Sequence, residues 1–415
     1  MTLRPVLFFC VAASFPVFGA GEQKPFPQHT VYAPGSIKPS VASQGELDRA
    51  VLGFYKAWKA RYLRSTGEGQ RYVFCNAEKT FTPRTTHSVS EGHGYGMLAT
   101  VLMAGADPDA KTDFDALYRF FRAHPAENNR DLMAWRQIAK DRSKTLGEGG
   151  DDRDSATDGD LDIACALLMA DRQWGSRGEI DYLKEARKVI TAIREAESDP
   201  RLHTLTLGSW VDGKSPRRGG VRSSDFMPGH FKAFAAAAGD PQWTQIADTT
   251  YRLLGELVST YSPNAGLVPD FIVWKGGAYQ PAPPEYLEGK TDGHYSYNAC
   301  RVPWRVGTDY LLTGDRRAMA LLAPLNAWFP KTTGGDPRKV NAGYGLDGKP
   351  LARDGNAAFN GPLAVAAMLE GSRQAWLDAL WSDLVAREAG DEDYYANSVK
   401  LLTMIVISGN WWQPF

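Results

Sequence analysis

The sequence predicts an all-α protein, and three observations support this prediction. Apolar residues recur at intervals of three and four along most of the chain, which is the spacing of one face of a helix. The alternation of apolar and polar residues that is typical of strands appears only briefly, at 267–274 and 71–76. No low-complexity linker divides the chain. We therefore expect one domain built from about twelve helices.

The apolar stripes predict the helices in order along the chain. The first stripe contains Leu47, Val51, Phe54, Trp58 and Tyr62, at steps of four, three, four and four. The later helical segments are 94–104, 111–123, 160–173, 183–193, 230–238, 243–259, 304–313, 316–328, 362–369, 376–384 and 393–408. Helices paired along one chain indicate a solenoid or a closed toroid, in which each helix buries its stripe against its neighbours. An ordinary helical array with binding loops is the alternative.

The N-terminal residues have the pattern of a secretory signal. Arg4 precedes an apolar stretch at 6–18, and Gly19 and Ala20 offer cleavage sites. This stretch is too short to remain as a membrane anchor. We therefore expect a signal peptide at 1–20 and a secreted or periplasmic protein. Residues 21–46 are predicted to form an irregular N-terminal arm, and residues 47–415 a single domain.

Composition excludes several classes of partner. The 47 Lys and Arg residues nearly balance the 48 Asp and Glu residues, so no strong field attracts nucleic acid or a membrane. The seven histidines lack ligand spacings such as HxxH or HExxH, so we expect no metal and no cofactor. Cys75, Cys165 and Cys300 allow at most one disulfide after the signal is removed. We expect a monomer.

The first stretch with candidate chemistry is Ser-Glu-Gly-His-Gly-Tyr-Gly-Met at 90–97, which opens an apolar helix. Its three glycines allow backbone or ligand to approach closely. Glu91 lies at the junction of loop and helix. It is either a functional carboxyl group or a helix-start residue that interacts with the helix dipole.

The second stretch is Ala-Thr-Asp-Gly-Asp-Leu-Asp-Ile-Ala at 156–164, with three more aspartates at 151, 152 and 154. The spacing and terminal Glu of an EF-hand are absent. One aspartate could be a helix cap. A cluster this dense, facing a groove, is suited to binding sugar hydroxyls, and Asp158 and Asp160 are the candidates.

The third stretch combines a carboxyl group, aromatic rings and two arginines. It contains Tyr-Leu-Glu-Gly at 286–289 and Tyr-Asn-Ala-Cys-Arg-Val-Pro-Trp-Arg at 297–305. Glu288, Tyr297, Asn298 and Arg301 are its candidate functional residues. A structural salt-bridge corner is the alternative interpretation.

Together these stretches resemble glycoside hydrolase family 8. The resemblance rests on Ser-Glu-Gly-x-Gly-Tyr-Gly at 90–96, Ala-Thr-Asp-Gly-Asp-x-x-Ile-Ala at 156–164, Ser-Asp-Phe-Met-Pro at 224–228 and Arg-x-Pro-Trp-Arg at 301–305. It extends from about Leu47 to Trp412 and implies an (α/α)6 barrel, an open cleft and an inverting, endo-acting mechanism. Substrates in that family are cellulose, mixed-linkage β-glucan, chitosan and xylan oligosaccharides.

The resemblance also implies roles for individual residues. Glu91 is expected to be the general acid, and Asp158 to hold the sugar at the cleavage site in a distorted ring. Trp135 and Trp210 resemble platforms on which sugar rings stack. Arg301 and Tyr297 are expected to bracket the reacting water and its base.

The general base is where this sequence departs from many family members. They have Asp at the position of Asn298, and an amide cannot accept the proton. A branch containing chitosanases and β-glucanases also has Asn there and takes its base from a Glu in the preceding inserted loop. Glu288 fits that branch, and Glu285 is its nearest rival.

The predicted function is therefore an inverting endo-glycosidase acting on β-1,4 linkages of β-glucan, cellulose or chitosan. The acidic loop would attract cationic chitosan, although acidic clefts also occur in glucanases; we expect β-glucan or cellulose first. Because Asn298 replaces the commonest base, a catalytically inactive polysaccharide-binding protein is the alternative.

Overall fold

The computed structural model describes residues 21–76, 86–138 and 152–414. The predicted signal peptide and Asp151 lie outside these ranges. The described residues include twelve α-helices, as the apolar stripes predict. These are α1 Gln44–Tyr62, α2 Ser90–Leu102, α3 Ala110–Ala123, α4 Thr157–Trp174, α5 Tyr182–Ala196, α6 Pro228–Ala238, α7 Gln242–Tyr261, α8 Val302–Thr313, α9 Arg316–Thr333, α10 Ala357–Ala367, α11 Gln374–Ala386 and α12 Tyr394–Ile407.

The helices form two concentric rings. In the inner ring α2 packs on α4, and α6, α8, α10 and α12 follow in turn, until α12 contacts α2 again and closes the ring. The odd-numbered helices lie outside, each against an inner neighbour, as α3 packs on α2 and α5 on α4. This arrangement is an (α/α)6 barrel and confirms the predicted fold. The closing contact distinguishes it from an open solenoid.

Burial explains why some helices show clear stripes and others do not. Every residue of α10 is buried, and in α2 only Glu91 is not. The outer helix α3 instead buries one face, with Phe114, Leu117 and Phe121 pointing inward. A helix that contacts protein on all sides has no polar face, so its sequence is apolar throughout.

Within the described ranges, nine short strands lie in the loops between helices: β1 Leu63–Ser65, β2 Arg71–Val73, β3 Thr86–Val89, β4 Arg136–Ile138, β5 Ser198–Asp199, β6 Thr204–Leu205, β7 Gly220–Arg222, β8 Phe271–Lys275 and β9 Ala278–Pro281. They pair antiparallel as β1–β2, β3–β4, β5–β6 and the three-stranded β7–β8–β9. In the last sheet Val221 pairs with Ile272, and Val273 with Gln280. The two stretches with strand-like alternation contain β2 and β8.

Glycines in the two long motifs let α2 and α4 approach each other. A Cβ on Gly159 would lie 2.6 Å from the backbone carbon of Ser90. A Cβ on Gly94 would lie 2.7 Å from the Cβ of Asp162. Neither position has room for a side chain. The glycines therefore bring the two helix starts, and with them Glu91 and Asp158, close together.

The N-terminal arm crosses the end of the barrel where the inner helices finish. Backbone N–H groups of the arm donate to carbonyl oxygens near the C-terminal ends of five inner helices: Gln23 to Gln173, Phe26 to Ala104, Thr30 to Gly409, Ala33 to Leu311 and Ile37 to Met368. The arm is irregular, but it ends earlier than predicted. Helix α1 begins at Gln44, ahead of Leu47, because the Glu46 carboxylate accepts hydrogen bonds from the N–H and hydroxyl of Ser43.

Two cysteines in the described ranges are buried thiols. Cys165 and Cys300 form no disulfide. Burial raises the pKa of both thiols, which favours the neutral form. Separately, none of the helices in the ranges given above is both long and apolar enough to cross a bilayer.

Candidate active site

A cleft of about 820 Å³ opens at the N-terminal ends of the inner helices. Eight of the predicted site residues line it: Glu91, Trp135, Asp158, Trp210, Glu288, Tyr297, Asn298 and Arg301. They come from distant parts of the chain because each inner helix begins at this end of the barrel. Helix N-termini carry partial positive charge, which suits an acidic site.

Glu91 lies in the first turn of α2 and is held from two sides. Arg301 Nη1 donates to Glu91 Oε2 at 2.6 Å, and the Tyr394 hydroxyl donates to Oε1 at 3.0 Å. Burial raises the pKa of Glu91; the Arg301 charge opposes this rise and the Asp158 charge adds to it. The carboxyl group can thus carry a proton at a pH where an exposed glutamate has lost it, as a general acid must.

Asp158 lies in the first turn of α4, on the cleft floor between two arginines. Its Oδ2 accepts from Arg301 Nη1 at 3.1 Å, and its Oδ1 lies 3.6 Å from Arg222 Nη1. Asp158 is 3% exposed. A carboxylate this buried needs such cationic partners, since an unpaired buried charge is very costly.

Glu288 enters the cleft from the loop between β9 and α8. Its Oε2 accepts a hydrogen bond from Asn298 Nδ2 at 2.9 Å, and its side chain is about half exposed. The loop is fixed by Asp292, whose carboxylate accepts from the backbone N–H groups of residues 287, 288 and 289. Glu285 is exposed and does not line the cleft. The geometry therefore favours Glu288 over Glu285 as the second carboxyl group.

Asn298 and Arg301 together connect Glu91 with Glu288. Asn298 Oδ1 accepts from Arg301 Nη2 at 2.8 Å, while Asn298 Nδ2 donates to Glu288. A hydrogen-bond chain therefore runs from Glu91 through Arg301 and Asn298 to Glu288. Asp270 fixes the backbone here: its Oδ1 accepts from the N–H groups of residues 296, 298 and 299.

Three aromatic side chains of the cleft present partly exposed rings. The Trp135 ring lies under the Arg136 guanidinium, 4.6 Å from its centroid. Trp210 lines the same cleft from the loop after β6. Tyr297 is 43% exposed and packs edge-on against Phe359. Such rings offer apolar faces on which sugar rings can stack.

Comparison with known proteins identifies the family. Residues 40–409 match the model for glycosyl hydrolases family 8. The chain belongs to glycosyl hydrolase family 8. A β-glucanase of Niallia circulans is 45% identical over 98% of this chain and 95% of its own length. An endoglucanase of Bacillus sp. (strain KSM-330) is 39% identical over 95% of this chain and 83% of its own length.

Solved structures agree with this family-8 assignment. The apo structure of a β-1,3-1,4-glucanase from Paenibacillus sp. X4 superposes with a TM-score of 0.87 at 45% identity, covering 94% of this chain and 99% of that one. Rex8A from Paenibacillus barcinonensis, complexed with xylose, superposes with a TM-score of 0.70 at 20% identity. The superposition covers 89% of this chain and 94% of the Rex8A chain. The latter similarity is one of fold.

Asp160 of this family-8 enzyme, predicted to bind substrate, lies outside the cleft. Asp160 is fully buried, does not line the cleft, and accepts a hydrogen bond from the Met133 backbone N–H at 2.8 Å. The prediction that it binds sugar is therefore wrong. Residues two apart on a helix point to different sides, so Asp160 faces away when Asp158 faces the cleft.

Several family-8 site residues were not predicted from the sequence. Arg222 lines the cleft between Asp158 and Glu288, and Tyr394 holds Glu91. Asp270 and Asp292 act only by accepting backbone hydrogen bonds. Arg222 directly precedes the Ser-Ser-Asp-Phe-Met-Pro stretch at 223–228, which is a signal that could have found it. Tyr394 lies in no chemical motif.

Proposed function

We propose that this glycoside hydrolase is an inverting endo-β-glucanase that cleaves β-1,4 linkages, with mixed-linkage β-glucan as its principal substrate. The names of its relatives, β-glucanase and endoglucanase, support a glucan substrate. The similarity to the β-1,3-1,4-glucanase of Paenibacillus sp. X4 supports the mixed-linkage polymer.

The observation that carries this proposal is the chain from Glu91 through Arg301 and Asn298 to Glu288. It places two carboxyl groups in one cleft with two side chains between them, so they do not contact each other. Inverting glycosidases separate their carboxyl groups by roughly 6.5–9.5 Å to admit water, and two intervening side chains are compatible with such a separation.

The two carboxyl groups divide the chemistry. Protonated Glu91 donates its proton to the glycosidic oxygen as the bond to the anomeric carbon breaks. Ionised Glu288 takes a proton from water, whose oxygen forms a new bond to the anomeric carbon on the opposite face. The configuration at that carbon is therefore inverted. Asp158 holds the reacting sugar, while Trp135 and Trp210 stack against its neighbours.

Charge pairing in the cleft favours a neutral polymer over chitosan. The carboxylates of Glu91 and Asp158 already face Arg301, and Asp158 also faces Arg222. Both arginines are buried or nearly so. Their charges offset much of the negative field that would attract a cationic chain.

The test is hydrolysis of lichenan, carboxymethyl cellulose and chitosan side by side, measured as reducing ends. We expect lichenan to be cleaved fastest, and proton NMR to show an α-configured first product. A first product that retains the β configuration would contradict the inverting mechanism. Binding without release of reducing ends would instead indicate the inactive polysaccharide-binding protein.

We further propose that the enzyme is exported and acts as a monomer. The signal-like pattern at 1–20 supports export to the periplasm or medium. One copy of the chain already supplies both carboxyl groups and both tryptophans of the proposed mechanism, so the mechanism requires no residue of a second copy. N-terminal sequencing of the exported protein and size-exclusion chromatography with light scattering test these two proposals.

A further inference from the structure

Behind the end of the cleft lined by the tryptophans lies a pair of buried carboxyl groups that the mechanism does not use. Asp160 is in the first turn of α4, and Glu197 directly follows α5. Both residues are fully buried. The two carboxyl groups are neighbours, each within reach of the other.

A contact of this kind requires a proton. An ionised carboxylate only accepts hydrogen bonds, so two of them cannot bond to each other unless one is protonated. Asp160 Oδ2 and Glu197 Oε2 are buried, and no N–H or O–H group within 21–76, 86–138 and 152–414 donates to either oxygen. Burial raises the pKa of Glu197 to about 8 and holds the pKa of Asp160 well above its usual range.

The remaining oxygens of the pair reach the two loops that carry the tryptophans. Asp160 Oδ1 accepts from the backbone N–H of Met133, two residues before Trp135. Glu197 Oε1 accepts from the Ser155 hydroxyl. The Ser155 oxygen in turn accepts from the Ser209 backbone N–H at 2.9 Å, next to Trp210.

We propose that Asp160 and Glu197 share one proton and act as positioning residues, holding the Trp135 and Trp210 loops at the separation that a glucan chain requires. The pair touches no substrate and acts only through backbone groups and Ser155. This inference rests on the proposed function, because it assigns the tryptophans to glucan binding.

The pair makes this end of the cleft sensitive to pH. Asp158, on α4, is the neighbouring charge that acts on both Asp160 and Glu197. The uncharged groups that face the pair are the Met133 N–H, at Asp160, and the Ser155 and Thr157 hydroxyls, at Glu197. When the shared proton leaves, two negative charges remain in a buried space and repel each other. We expect the loops to separate and KM to rise, with a smaller change in kcat.

Stability should follow the same titration. The pKa of Glu197 is higher in the folded than in the unfolded protein. The pair's contribution to the unfolding free energy is therefore fully present below the pKa of the unfolded state, about 4. It is lost as pH rises through the folded pKa of Glu197, about 8. Tm should therefore fall between pH 6 and pH 9.

The experiment compares Glu197→Gln, Glu197→Ala and the matched control Glu195→Gln. Glu195 lies two residues earlier, at the end of α5, and its side chain is largely exposed. Glutamine keeps the shape of protonated glutamate, donating to Asp160 and accepting from Ser155. At pH 6 we expect Glu197→Gln to stay within about twofold of wild-type KM, and Glu197→Ala to raise KM about tenfold. Glu195→Gln should match the wild type throughout.

The pH series from 6 to 9 decides the inference. Wild-type KM should rise and Tm should fall, whereas Glu197→Gln should show a flatter profile of both. Equal pH profiles for wild type and Glu197→Gln would overturn it, as would a Glu197→Gln variant as impaired as Glu197→Ala at pH 6. If Glu197→Ala does not fold, the comparison of Glu197→Gln with wild type still tests whether the pair shares a proton.

If the wild-type enzyme hydrolyses no glucan, the proposed function fails. The comparison of Tm between wild type and Glu197→Gln still tests the pair.

Discussion

At the scale of single residues, the proposed acid and the proposed base are the same side-chain type in different surroundings. Glu91 lies in the first turn of an inner helix with its side chain 18% exposed, and this partial burial raises its pKa. Glu288 is half exposed on a loop and is oriented by an amide donor from Asn298. Two carboxyl groups in unlike environments are what acid–base catalysis requires.

The first prediction concerns the base. Replacing Glu288 by glutamine removes the proton acceptor but keeps the hydrogen-bonding shape, so kcat should fall on the order of 10²–10⁴-fold. Oligosaccharide binding, measured by calorimetry, should persist. Asn298→Ala should reduce activity without abolishing it, because Glu288 loses its orienting donor.

Glu285→Gln is the matched control, since Glu285 lies on the same loop outside the cleft. It should have a mild effect. Near-wild-type turnover in Glu288→Gln would show that the base has been misassigned.

At the scale of elements, the site depends on how closely two inner helices pack. The starts of α2 and α4 touch at Gly94 and Gly159, where a Cβ has no room. This contact sets the distance between Glu91 and Asp158, and Arg301 then bridges them. The glycines of both motifs thus serve packing between helices.

A second prediction tests this contact. Gly159→Ala would place a Cβ 2.6 Å from the backbone of Ser90. Overpacking of this kind costs about 1–3 kcal/mol of unfolding free energy. We expect a lower Tm together with loss of kcat, because Asp158 and Glu91 are pushed apart.

Gly53→Ala provides the control on α1. This glycine is exposed and its added Cβ would meet nothing within 4 Å. Since alanine favours a helix interior by roughly 0.5–1 kcal/mol over glycine, this variant should be slightly more stable. A Gly159→Ala enzyme with unchanged Tm and kcat would contradict the packing argument.

At the scale of the whole molecule, the two ends of the barrel have different tasks. The cleft lies where the inner helices begin, and the N-terminal arm crosses the end where they finish. The arm pairs with carbonyl groups that a helix C-terminus leaves unsatisfied. It therefore stabilises the barrel without contacting the site.

A third prediction tests whether the arm contributes to stability but not to catalysis. Phe26 is a buried arm residue in the main hydrophobic core. Phe26→Ala should lower the unfolding free energy by about 3 kcal/mol, measured by urea denaturation. The kcat of the folded enzyme should stay unchanged. Val31→Ala, at a 95% exposed position of the same arm, should change neither quantity. A Phe26→Ala enzyme that loses kcat at full stability would be inconsistent with this division.

The sequence alone determined the helices, their order and much of the cleft. Helical periodicity is a local property, and long motifs such as 90–96 and 156–164 record local backbone requirements together with function. The resemblance to glycoside hydrolase family 8 added Glu288 as the expected base, because the amide of Asn298 cannot accept a proton. The helix predictions need only neighbouring residues, whereas the expected roles of the site residues came from motifs shared with that family.

Only the tertiary structure decided which residues meet. It moved Asp160 from the cleft into the interior, beside Glu197, because a helix turns its residues to different sides. It brought Arg222 to Asp158 and Tyr394 to Glu91, across 64 and 303 positions of the chain. Such contacts depend on closing a ring of six helices, and no local pattern encodes which loops that closure places together.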